Sequence, residues 1–156
     1  MTRPIVLRWK AACTIAILVI GGIANAFSPQ VVPIEYKDVS PNRLVSVFKT
    51  AYLRSRFEVG SQKTRAIDER TKTLTRLLFT FSNPEHPQKK KGIVSFNIIY
   101  SRQAAKCSPC LVYPEILGFD MDGYDEKEAA DLVSMLETAD REAQDKIAAE
   151  LGKRVR

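Results

Sequence analysis

Thr73-Leu74-Thr75-Arg76-Leu77-Leu78-Phe79-Thr80-Phe81 and Ile93-Val94-Ser95-Phe96-Asn97-Ile98-Ile99-Tyr100-Ser101 are the two stretches that decide the fold. In the first, Leu77, Phe79 and Phe81 alternate with Arg76, Leu78 and Thr80. In the second, Val94, Phe96, Ile98 and Tyr100 point one way, and Ser95 and Asn97 the other. A period of two places successive side chains on opposite faces, as in a strand half-buried in a sheet. The pair predicts an antiparallel hairpin. Its connection, Ser82 to Gly92, holds Pro84, Pro87 and the run Lys89-Lys90-Lys91, too long for a tight turn, and so projects as a loop.

Toward the C-terminus, Leu111 to Phe119 is an apolar stretch interrupted by Pro114, which suits a third strand at the sheet edge. Asp125 then reads as an N-cap with Glu128 three residues on, a capping-box pattern. Ala129, Leu132, Val133, Leu136, Ala139, Ala143, Ile147 and Leu151 follow on one face of a long helix that ends at Gly152. Its alanine-rich seam allows close approach to the hairpin.

Toward the N-terminus, Ser40-Pro41 reads as an N-cap followed by proline at the first helical position. Leu44, Val47, Phe48, Ala51 and Tyr52 then recur at three- and four-residue spacing on one helical face, and Gly60 is the expected stop. Ser61 to Lys72 is polar and without periodicity, so it reads as a loop or a helical extension. Phe27 to Asp38, with Pro29 and Pro33, is an extended lead-in or an edge strand. These elements give an α+β fold, a small antiparallel sheet made of the hairpin and edge strands, packed against an N-terminal helix and a long C-terminal helix.

The first 26 residues carry a different message. Arg3, Arg8 and Lys10 precede the apolar run Ala11 to Ile20, and Gly21-Gly22 and Ala24-Asn25-Ala26 follow it. This is the order of zones in a cleaved export signal. The expected organisation is a signal at 1–26 and one α+β domain at 27–156, placed in the periplasm or outside the cell. The alternative is a module tethered to the membrane by the uncleaved run from Ala11 to Phe27, which is at the short end of a membrane span. Without the signal the net charge falls from +6 to +3, and Cys13 and Trp9 are removed. So small a positive balance, on an exported chain, argues against nucleic acid as a partner.

Charge is uneven along the chain. Residues 27–106 hold 15 Lys and Arg against 6 Asp and Glu, whereas residues 107–156 hold 6 against 12. Either the basic half faces an anionic partner, or the acidic helix folds back over it. Lys89, Lys90 and Lys91 are candidates for contact with an anionic envelope component. The plainer use of three lysines at a hairpin tip is to keep it soluble and discourage edge pairing.

Cys107-Ser108-Pro109-Cys110 is the one cysteine pair left after export, and in an oxidising compartment it should close as a disulfide. The stretch from Ile93 to Ile116, an apolar strand followed by C-x-P-C and then Pro114, resembles in part the active-site region of the thioredoxin family. That resemblance implies an attacking thiol at Cys107, at a helix N-terminus, with Cys110 resolving. Downstream, the chain reads as one loop and one long helix, so the residues themselves favour a structural disulfide.

Asp120, Asp122 and Asp125 alternate around Gly123 and could offer oxygens to Ca²⁺, though not at EF-hand spacing. The other reading of this acidic turn is complementation of the following helix's N-terminal dipole. His86, the one histidine, is expected in a solvated loop. No cofactor loop or catalytic set is present. The sequence therefore favours an exported non-catalytic protein that binds a macromolecular partner, either another protein or an anionic envelope component. A thioredoxin-like thiol-disulfide oxidoreductase is the alternative.

Overall fold

A computed structural model describes residues 32–67, 71–89, 91–118 and 123–152. The expected signal at 1–26 lies outside them. The elements run β1 (Ile34–Tyr36), α1 (Pro41–Leu53), β2 (Glu58–Ala66), β3 (Lys72–Phe81), β4 (Gly92–Ser101), β5 (Cys110–Gly118) and α2 (Glu126–Leu151). All five strands join one antiparallel sheet in the order β1-β5-β4-β3-β2. The chain is α+β, with the hairpin at the centre of the sheet and the two helices in one buried cluster with its inner face.

The hairpin forms where the alternation places it. Leu77 pairs with Phe96 and Phe79 with Val94, and all four are at most 2% exposed. The face they define is aromatic, because cross-strand neighbours on one face interact most strongly through large flat side chains. Tyr52 of α1 stacks on Phe79 at 4.5 Å, and Phe48 meets Phe96 edge-on at 5.2 Å.

α1 starts as expected, with the Ser40 hydroxyl accepting from Arg43 N–H at 3.2 Å and Pro41 at the first turn. It stops earlier than expected. The last helical residue is Leu53, and Arg56 turns the chain with φ 69°. Gly60 is therefore not the helix stop. It sits in β2 at a register shift between Val59 and Ser61, where a Cβ would come 2.4 Å from Leu78 Cδ2. A larger residue there would have to displace the end of the Leu78 side chain on β3.

β2 stands where a loop or a helical extension was expected. Its residues are almost all exposed, so no burial pattern marks them as a strand. What holds it is the β3 backbone, together with the hydroxyl contact from Thr64 to Thr75 at 3.0 Å. An edge strand needs one paired neighbour and no amphipathic pattern, and Lys63 and Arg65 are side chains of the kind that blunt such an edge.

β5 also differs from expectation, since it is not the edge. β1 pairs outside it, through Cys110 to Val112, so the lead-in segment supplies the edge strand. Pro114 falls beyond that short pairing, where the missing N–H is tolerated.

α2 has the expected capping box, and it buries Leu132, Leu136, Ala139, Ala143 and Ile147. It packs on α1 as well as closing over the core. The Tyr52 hydroxyl donates to Asp140 Oδ1 at 2.5 Å and accepts from Gln144 Nε2 at 2.8 Å, while Lys146 Nζ donates to Arg54 O at 2.9 Å. Buried polar groups are found with partners, so this bridge fixes α2 against the end of α1.

Candidate functional site

The cysteines lie at the corner where the β4–β5 connection meets the β1–α1 connection. Cys107 and Cys110 are bonded, with Cα atoms 4.8 Å apart, and they are 4% and 0% exposed. Cys107 N–H donates to Val39 O at 2.7 Å, and its carbonyl accepts from Asp38 N–H at 3.2 Å. The four-residue loop is thereby clamped to the entry of α1. Cys110 is the first residue of strand β5, so the helix N-terminus implied by the thioredoxin resemblance is not there to stabilise a thiolate. Both sulfur-bearing residues belong to the hydrophobic cluster.

The lysine loop is drawn onto α2. Lys89 Nζ donates to Glu128 Oε2 at 2.5 Å and stands 4.8 Å from the centre of the Tyr124 ring. His86 Nε2 lies 3.0 Å from the other oxygen, Oε1, so His86 is engaged and not simply solvated. Lys91 Nζ reaches Glu58 Oε2 at 2.7 Å. Lys90 lies outside the described residues. The hydrogen bond from Lys89, followed by that from Asp125 N–H, holds the Glu128 carboxyl below the usual 4.5. Burial pushes the Tyr124 phenol up, with the Lys89 charge opposing it.

The acidic turn serves the helix. Asp125 Oδ1 accepts from Glu128 N–H at 2.7 Å, and Glu128 Oε2 accepts from Asp125 N–H at 3.1 Å. Asp120 and Asp122 lie outside the described residues. Among the described residues, no group of three or more His, Cys, Asp or Glu could hold a metal ion.

A fourth surface is absent from the sequence reading: the sheet face turned away from the helices. Strand register aligns its side chains in rows. One row runs Arg65, Leu74, Ile99, Leu111, Glu35 from the β2 edge to the β1 edge. The next runs Lys63, Arg76, Asn97, Tyr113. The row after it runs Ser61, Leu78, Ser95, Glu115. At the centre, Glu115 Oε2 accepts from Arg76 Nη2 at 3.0 Å, Ser95 Oγ at 3.1 Å and Asn97 Nδ2 at 3.3 Å. Ser95 is fully buried, whereas Leu74, Leu78, Ile93, Ile99, Leu111 and Tyr113 around it are partly exposed. The signal for this surface was present: Leu74, Leu78, Ile93 and Ile99 are aliphatic at positions whose parity assigns them to solvent. Chemically it can grip a flat, mixed surface, with aliphatic contact around a central polar cluster and charge at both rims, Arg65 on β2 and Glu35 on β1.

No family model matches the chain, and neither a curated protein nor a solved structure is similar to it.

Proposed function

We propose that this is an exported, non-catalytic protein that works by binding another protein. The observation carrying this reading is the buried Cys107–Cys110 bond and its clamp on Val39 and Asp38. A disulfide built into the core suits an oxidising compartment, in agreement with the signal-like N-terminus. A structural role for the pair also suits its burial better than thiol exchange does, which needs an accessible, activated sulfur. Between the two partner classes, protein is favoured over an anionic polymer, because Lys89 and Lys91 already meet Glu128 and Glu58. Paired cations attract an external polyanion less than free ones do.

The test uses a Cys107→Ser/Cys110→Ser double variant expressed in the native host, followed by mild cross-linking. The expected result is an unchanged set of adducts with a stability loss of about 1–2 kcal/mol, the modest effect of a short loop closure. Insulin-reductase activity of the wild-type protein that is abolished by Cys107→Ser would favour the oxidoreductase alternative.

A further inference from the structure

The outer face of the sheet has a charge order that selects its occupant. Basic side chains predominate on the β2 and β3 side, as Lys63, Arg65 and Arg76, where the one acidic residue of β2, Glu58, is neutralised by Lys91. Acidic ones stand on the β5 and β1 side, as Glu115 and Glu35, with β4 midway. A polyanion would find only one half attractive, and an anionic membrane would be repelled by the other. A surface with the same order reversed satisfies both halves.

We infer that this surface is a second copy of the same chain, stacked face to face about a two-fold axis running along β4. That rotation preserves strand direction and exchanges the two sheet edges. Each Arg65 then stands over the partner copy's Glu35, Leu74 over Leu111, and Ile99 on the axis over its own equivalent. Arg76, held by Glu115 of its own chain, falls over the tyrosine at position 113 of the other copy, a geometry suited to cation–π contact, and Leu78 falls over the stem of the residue at position 115. The other in-plane two-fold, across the strands, would set β2 against β2 and like charge against like. The charge order thus selects one axis, and an isologous interface must be self-complementary in this way.

The dimensions agree. Strands about 4.8 Å apart and up to ten residues long give a face of roughly 700 Å². That is close to the roughly 800 Å² per partner of a stable interface. Aligned packing of two such sheets, about 10 Å apart, is one of the two common sandwich geometries.

This inference rests on the reading that the chain acts by protein contact. The experiment is sedimentation equilibrium of the protein purified from its host in its natural processed form, wild type beside Arg65→Glu, Glu35→Arg and the double exchange. The expected result is a dimer at micromolar concentration, weakened about tenfold or more by either single reversal and restored by the double exchange. Circular dichroism confirms that each variant is folded, and both rim positions lie outside the buried core. A wild-type monomer at ~100 µM, or a dimer indifferent to all three changes, overturns the inference. A monomer that still cross-links to a different protein in the host leaves the partner-binding reading standing and removes only the self-association.

Discussion

On the helix-covered side of the sheet, β3 contributes Leu77, Phe79 and Phe81, none more than 1% exposed. On the other side, the same strand contributes Leu74, Arg76 and Leu78, all partly exposed. Adjacent residues of one strand thus belong to two kinds of surface. The first is closed by α1 and α2 and stabilises the fold. The second is closed by nothing among the described residues, and it carries charges arranged in an order that aromatic packing has no use for. Aliphatic residues on an outer face are informative because their burial in this way is not needed to hold the sheet together.

The contrast is open to direct attack. Phe79→Ala removes a ring that stacks on Tyr52, and it should cost about 3–5 kcal/mol in chemical denaturation, the range for large cavities in a packed core. Leu78→Ala, one residue along, should cost no more than about 1 kcal/mol at concentrations where the protein is monomeric. Equal losses would mean that the outer face is core too, and the distinction would fail.

A smaller effect separates the lysine loop from the sheet. The Glu128 carboxyl is held below its usual value of 4.5 by Lys89 and the Asp125 N–H. Its favourable contribution to the folded state is therefore complete above about pH 4.5 and is lost as pH falls through the lowered value. The loop around His86 and Lys89 should loosen from α2 in that acid range, seen as changes in the His86 ring resonances. Glu128→Gln keeps a capping-box partner for Asp125 but removes the charge, so its His86 resonances should lack this acid transition. An identical transition in the variant would assign the effect to another group.

The legible parts of the chain were those where burial writes a period into the sequence. The hairpin alternation, the two helical faces, Ser40-Pro41 and the Asp125–Glu128 cap all have one face in the core and one outside it. β2 has neither face in the core, so Glu58 to Ala66 has the composition of a loop and becomes a strand only through the β3 backbone. Gly60 looked like a helix terminator because sequence cannot distinguish a left-handed turn from a close approach between strands. β5 appeared to be an edge because its true outer neighbour, β1, is only three residues long. The cysteine pair could be read from its spacing, but its clamp on Val39 and Asp38 could not. The charged rims of the outer face lie on four strands far apart in sequence, and register alone brings Arg65, Leu111 and Glu35 into one row.

The most direct test of the central claim places a photo-activated cross-linking side chain at Tyr113 on the outer face, with Glu142 on the exposed side of α2 as the comparison site. Irradiation in the native host should convert the Tyr113 form into an adduct of twice the chain mass and leave the Glu142 form unlinked. Absence of a doubled-mass adduct from Tyr113, or its appearance from Glu142 alone, would contradict the account.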